Sequence, residues 1–213
     1  MVSLFSVLLL GFVLGMRHAT DADHVVAVTT IVSDQPSLWR ASAVGALWGI
    51  GHSVTIFLVG GAIVVFRLVI PARLGLAMEF AVALMLIVLG AVNVAGRRPV
   101  GLAAQSTARP LVVGFVHGLA GSAFIALLVV AAVPGLLLGL LYLTVFGLGT
   151  VAGMALITAA IAIPSAISAR RFGHLQRYLR LASGVASVGF GVMLVVNGIA
   201  DGLFSASPQW TPR

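Results

Sequence analysis

The chain has 213 residues, of which 61% are hydrophobic and only 8% are charged. In soluble domains about a quarter of the residues are charged, so this composition excludes a water-soluble globular protein. The formal net charge of +7 comes from arginines that lie mostly in short connections between apolar runs, which argues against a nucleic-acid-binding face. The absence of cysteine excludes disulfides and thiolate metal sites.

Apolar runs of about twenty residues recur along the chain, and runs of this length span a lipid bilayer. We predict an all-α integral membrane protein that forms a single transmembrane domain over residues 1–213. Six segments are predicted, at about 3–32, 40–66, 74–95, 111–133, 136–163 and 178–200. The first is about thirty residues long where about twenty suffice, so we expect it to be interrupted.

The arginines predict how the chain is oriented. With six segments the connections alternate between two sides, and most arginines fall on one side: Arg40, Arg97, Arg98, Arg109, Arg170, Arg171, Arg177 and Arg180. The other side holds Arg67, Arg73 and Arg213. Cytoplasmic loops are enriched in Lys and Arg, so a multi-pass protein of the plasma (inner) membrane with both termini outside is predicted.

The two halves of the chain share a pattern. Gly-Phe-Val-x-Gly occurs at 11–15 and at 114–118, Gly-x-x-x-Gly at 45–49 and 149–153, and an asparagine at 93 and 197. Glycines are common in membrane helices, so chance is the alternative explanation. A duplication predicts two inverted three-helix repeats, about 1–96 and 110–203, which suits alternating access. Independently of this, paired glycines allow membrane helices to pack closely.

A cluster of titratable residues interrupts the first segment, at His18, Asp21, Asp23 and His24. A charged side chain at the centre of a membrane helix costs roughly 2.5–3.5 kcal/mol, so such groups persist where they pair, line a cavity or bind something. On a continuous helix His18, Asp21 and His24 share one face, and Arg17 can form an ion pair with Asp21. Asp23 joins the others only if the helix bends or unwinds here.

Imidazole and carboxylate without sulfur form a ligand set for a first-row divalent metal such as nickel or cobalt. His52 and His117, in the second and fourth segments, can complete the site. Each of these two, taken alone, is equally typical of a hydrogen-bonded packing residue. The predicted ligands are His18, Asp21, Asp23, His24, His52 and His117. Imidazole must be neutral to bind a metal, so affinity is expected to rise with pH.

The run from Arg17 to His24 resembles the His-x4-Asp-His motif of the nickel/cobalt transporter (NiCoT) family. The stretch around His52 is similar to the Leu-Gly-His-Ser element of that family. The stretch from His117 to Ser122 resembles its short, urease-accessory-type branch. This resemblance implies a secondary transporter of Ni²⁺ or Co²⁺ with the metal as substrate and no permanently bound cofactor.

The motif's two histidines and its final aspartate are needed for transport in the family, which implies these roles for His18, Asp23 and His24. Longer members carry an acidic Leu-Gly-Phe-Asp-Thr-Ala-Thr-Glu element, and this chain has Gly149 and Gly153 at the acidic positions. Many members also have an extra N-terminal span. This chain resembles one that lacks it, in agreement with an external N-terminus.

Three other readings stay open on the sequence. His52 and His117 could ligate haem in a membrane cytochrome, although neighbouring carboxylates do not suit a haem pocket. Ser53 or Ser122 could serve an intramembrane hydrolase, but no Gly-x-Ser-x-Gly elbow is present, and we predict that the chain is not an enzyme. A related fold could instead export a metal or a small anion. Direction of transport and formation of a homo-oligomer are left open.

Overall fold

The computed structural model describes residues 4–32, 37–68, 70–96, 107–119, 135–171 and 173–209, and the regular elements in these ranges are all helical. In chain order they are α1 Leu4–His18, α2 Ala22–Val32, α3 Leu38–Phe66, α4 Ala72–Val94, α5 Ala108–Leu119, α6 Leu136–Arg171 and α7 Gly173–Ala200. A π-helical turn, Ile56–Gly60, lies within α3. The predicted all-α class is confirmed.

Within the described ranges, four helices are long and apolar enough to cross a membrane: α3, α4, the Leu136–Pro164 part of α6 and the Arg177–Ala200 part of α7. Helices α1 and α2 together make a fifth candidate. The fourth predicted segment, 111–133, begins within the short apolar helix α5, and its second half lies outside the described residues. Large apolar side chains cover the outer surface, where Leu137 is 73% exposed and Leu148 60% exposed. An apolar surface of this kind suits lipid.

The first span is broken at the His/Asp cluster, as predicted. Helix α1 ends at His18, α2 begins at Ala22, and the two axes are bent by 56°. The hydroxyl and backbone N–H of Thr20 donate to the carbonyl of Arg17 at 2.6 and 2.8 Å, closing a turn in place of a further helical turn. Short polar side chains compete in this way with the helical hydrogen-bond ladder.

The break also corrects one expectation. The predicted ion pair between Arg17 and Asp21 is not formed, because the helix no longer continues between them and Asp21 instead accepts a hydrogen bond from His18. The pairing of side chains four residues apart requires an intact helical turn, and none connects these two residues.

Glycines set the close packing of α1 and α3 against α6. A Cβ atom at Gly15 would overlap the backbone of Phe146 in α6, and one at Gly149 would overlap the backbone of Phe12 in α1. Gly45 meets Thr158 of α6 in the same way. The packing role predicted for the Gly-x-x-x-Gly pairs is therefore confirmed.

Similar close contacts join the remaining helices. Helix α5 lies on α3, where a Cβ at Gly114 would overlap the backbone of Trp48, and the hydroxyl of Thr55 donates to the carbonyl of Phe115 at 2.8 Å. Helices α4 and α7 meet at Gly90 and Gly184. The hydroxyl of Ser187 in α7 donates to the carbonyl of Leu86 in α4 at 2.8 Å. The contacts with α6 and α3 hold α1, α3 and α5 side by side, and the turn after His18 keeps α2 next to α1.

Candidate metal site

Four imidazole rings meet at the break between α1 and α2. His18 is the last residue of α1, His24 lies in the first turn of α2, His52 in α3 and His117 in α5. The ring centroid of His24 lies 4.5 Å from that of His18, 4.9 Å from that of His52 and 4.4 Å from that of His117. His24, His52 and His117 are at most 2% exposed. Four of the chain's five histidines thus share one small buried volume.

Asp23 holds two of these rings. The Nδ1 atom of His24 donates to one carboxylate oxygen at 2.9 Å, and Nε2 of His117 donates to the other at 2.8 Å. A neutral imidazole carries one proton, so the bond from Nδ1 leaves Nε2 of His24 with a free lone pair. That atom is buried and has no hydrogen-bond partner among the described residues. It is an unused metal-ligand atom at the centre of the cluster.

Asp21 plays a corresponding role for His18. The Nδ1 atom of His18 donates to Asp21 at 2.8 Å, which leaves Nε2 to face Nε2 of His52 at 3.0 Å. The side chain of Asp21 is 53% exposed. Asp21 therefore orients an imidazole from the edge of the cluster, as outer carboxylates do in metal sites.

Ligand-type atoms converge in two groups that share one residue. His18, His24 and His52 form the first, and Asp23, His24 and His117 form the second. Within each group the atoms lie within 4.8 Å of one another. All six residues predicted as ligands are thus brought together, with Asp21 joined to the groups only through His18. The bend is what carries Asp23 into the cluster.

Two aromatic rings wall the cluster. Trp48 is fully buried, stacks on His24 at a centroid distance of 5.6 Å and meets His117 edge-on at 5.5 Å. Phe146 lies 5.6 Å from His18. Trp48 lies one helical turn before His52, which places both on the same face of α3, but an apolar residue in an apolar segment carries no signal of this role. The two aromatic rings pack against three of the four imidazoles.

A cavity of about 550 Å³ reaches the cluster from one end of the molecule. It is lined by His18, Asp21, Ala22, Asp23, His24, Glu79, Val82, Phe190, Met193, Leu194 and Asn197. Glu79 lies in the first half of α4 and Asn197 in the last turn of α7. Nearby, Arg73 at the start of α4 donates a 3.0 Å hydrogen bond to the carbonyl of Ser205, which follows α7.

The glycines at the family's acidic positions have a structural explanation. Gly149 faces the backbone of Phe12, and a Cβ at Gly153 would lie 2.9 Å from the Cβ of Ala19, next to His18. A carboxylate side chain at either position would force α1 away from α6. In this chain the two positions form the helix contact that supports the break.

The serine candidates contribute no nucleophile in the described part of the chain. The hydroxyl of Ser53 donates to the carbonyl of Gly147 at 3.0 Å and joins α3 to α6. Ser122 lies outside the described residues.

Comparison with known proteins identifies a relative along nearly the whole chain. The urease accessory protein UreH of Bacillus sp. (strain TB-90) is 35% identical over 95% of this chain and 96% of its own length. Two Arabidopsis thaliana proteins, chloroplast proteins FOR GROWTH AND FERTILITY 1 and 2, are 27% and 26% identical over 88% of the chain, which spans 58% and 55% of their lengths. No family model and no solved structure matches.

The name of the bacterial relative describes an accessory protein rather than an enzyme, in agreement with the prediction that this chain is not an enzyme. The identity and the coverage of both chains are high enough to establish common descent. The chain belongs to the family of the urease accessory protein UreH.

Proposed function

We propose that this protein is a secondary transporter of a divalent transition-metal ion, Ni²⁺ first and Co²⁺ second, across the plasma membrane. The observation that carries the proposal is the position of His24. This residue belongs to both groups of possible ligands, and its Nε2 atom is buried without a hydrogen-bond partner among the described residues. The resemblance of the His18–His24 motif to the nickel/cobalt transporter family supports the choice of metal. The urease accessory role named for the bacterial relative fits a protein that handles a metal ion.

The ligand set favours a borderline metal over the common hard cations. Imidazole suits nickel, cobalt, zinc and copper, whereas Mg²⁺ and Ca²⁺ prefer an all-oxygen shell. The Nε2 atoms of His18 and His52 lie 3.0 Å apart. Two imidazole nitrogens bound to one metal at 90° with bonds of about 2.1 Å lie about 3.0 Å apart. Octahedral and square-planar ions, among them Ni²⁺, bind ligands at this angle.

The packing supports an inverted-repeat mechanism. Helix α1 lies on α6 through Gly15, α5 lies on α3 through Gly114, and α4 and α7 lie on each other. In the proposed repeats, α1 and α5 are the first helices and α3 and α6 the second. The first helix of each repeat thus packs on the second helix of the other. We infer that the two repeats rock against each other around the histidine cluster, with both termini outside.

The other two membrane functions fit the site less well. A haem between His52 and His117 would need the space that the rings of His24 and Trp48 fill. An anion would meet the carboxylates of Asp21, Asp23 and Glu79 in the cavity. Export of a metal would use the same ligands, and the direction of transport is therefore measured separately.

Uptake by the purified protein tests the proposal. In proteoliposomes, we expect the wild type to accumulate radiolabelled Ni²⁺ and Co²⁺, and we expect His24→Ala to abolish accumulation because both ligand groups lose their shared residue. His174→Ala, which removes the chain's fifth histidine, is the matched control and should retain wild-type uptake. Unchanged uptake by His24→Ala would overturn the proposed function.

A further inference from the structure

The cavity that reaches the cluster is far larger than a bare metal ion requires. Its volume is about 550 Å³. Six water molecules of about 30 Å³ each occupy about 180 Å³, so the cavity can hold a divalent ion together with its full water shell. It is lined by His18, Asp23 and His24 of the cluster and by side chains of α4 and α7.

The charge of the lining suits a cation. Three of the chain's five acidic residues, Asp21, Asp23 and Glu79, line the cavity, and no arginine is among the described residues that line it. His24 also lines it, with a side chain that is 2% exposed and an Nε2 atom without a hydrogen-bond partner among the described residues. Three carboxylates and a histidine with an unpartnered ring nitrogen thus line the same cavity.

Polar side chains join the two helices at the opposite end of the same helix pair. The amide of Asn93 in α4 donates to Ser183 Oγ at 3.0 Å and to the carbonyl of Arg180 at 3.2 Å in α7. The offset between the halves that relates Asn93 to Asn197 also relates Glu79 to Ser183. Asn93 and Ser183, which bond to each other at one end, therefore correspond to Asn197 and Glu79, which line the cavity at the other end.

We propose that Glu79 and Asn197 form an access site, which receives the hydrated divalent cation before the imidazoles replace its water. Carboxylate and amide oxygens hold a hydrated ion through its water molecules, as such ligands do for ions that dehydrate slowly. The access site rests on the proposed function, because it delivers the same substrate to His24. It sets the affinity for uptake and leaves the binding capacity of the histidine cluster intact.

The concentration dependence of Ni²⁺ uptake in proteoliposomes tests the access site. Glu79→Gln should raise KM on the order of tenfold with the maximal rate retained, since it removes one charge that attracts the ion into a site of low permittivity. Asn197→Asp adds a carboxylate at the same place and should lower KM. Asp201→Asn removes a carboxylate that is not among the lining residues of the cavity, and it should keep the wild-type KM.

The outcomes separate the access site from the proposed function. A wild-type KM for Glu79→Gln, or an unchanged or higher KM for Asn197→Asp, overturns the access site while the loss of uptake in His24→Ala still supports the transporter. If Glu79→Gln fails to accumulate in the membrane, the gain expected for Asn197→Asp decides the question. Normal uptake by His24→Ala overturns the function and the access site together.

Discussion

Asp21 and Asp23 lie two residues apart, but their carboxylates differ in hydrogen-bond partners and in exposure. Asp23 bonds two imidazoles inside the cluster, and its carboxylate belongs to a group of ligand atoms. Asp21 bonds only His18 and is half exposed. Asp23, which belongs to a group of possible ligands, and Asp21, which orients the imidazole of His18, are thus less than one helical turn apart in the chain.

Replacement of Asp21 should therefore weaken binding without abolishing it. Asp21→Asn keeps the shape but weakens the acceptor that orients His18, and we expect affinity for Ni²⁺ to fall about 10–100-fold, as is typical when a partner of a ligating histidine is removed. Isothermal titration of purified protein measures this. Asp201→Asn is the control, and equal affinity of both variants would contradict the orienting role.

Affinity for Ni²⁺ should also depend on pH. A protonated imidazole has no lone pair for a metal, so binding releases protons and affinity should increase as the pH rises from about 5 to about 7.5. Titrations in two buffers of different ionisation enthalpy would report the released protons. Affinity that falls as the pH rises across this range would contradict imidazole ligands.

At the scale of helices, the break in the first span could be predicted, and most of its consequences could not. The excess length of the segment and the off-face position of Asp23 both indicated a bend, and α1 does end at His18. The bonding of His117 to Asp23 joins residues far apart in the chain, and helical periodicity contains no information about such contacts. Trp48 was missed because an apolar residue in an apolar segment carries no local signal.

At the scale of helices, we predict that a larger side chain at a contact glycine of α6 lowers the stability of the protein. Gly153→Val would press side-chain atoms against Met16 and Ala19, separate α1 from α6 and displace His18. We expect a loss of about 1–3 kcal/mol in the free energy of unfolding, as is typical of overpacking. Gly189→Ala in α7, where a Cβ would meet nothing within 4 Å, is the control. Denaturation in detergent measures both, and equal stability would contradict the close α1–α6 contact.

At the scale of the molecule, Glu79 and Asn197 line a cavity at one end of the α4–α7 pair, whereas Ser183 and Asn93, the related residues of the other half, bond to each other. The sequence suggested the relation between the two halves through their shared glycines and asparagines. The sequence could not show which of the two polar pairs lines a cavity, because both halves carry similar helices. The two pairs differ in how the helices around them pack.

The natural absence of cysteine makes this difference measurable. Asn197→Cys should react with a membrane-impermeant thiol reagent added outside intact cells, and Ni²⁺ should slow the reaction. Asn93→Cys, at the related position of the other half, is the matched control and should react only after the membrane is opened. The reverse pattern would contradict the proposed orientation, and equal external labelling of both would contradict the difference between the two ends.

The claim on which the rest depends is that the four histidines and Asp23 bind the transported ion. X-ray absorption at the nickel K-edge of purified, Ni²⁺-loaded protein tests it most directly. We predict nitrogen and oxygen ligands with the multiple-scattering signature of several imidazoles, and loss of that signature in His24→Ala but not in His174→Ala. A nickel site with water and carboxylate ligands alone, or an unchanged spectrum in His24→Ala, would contradict the account.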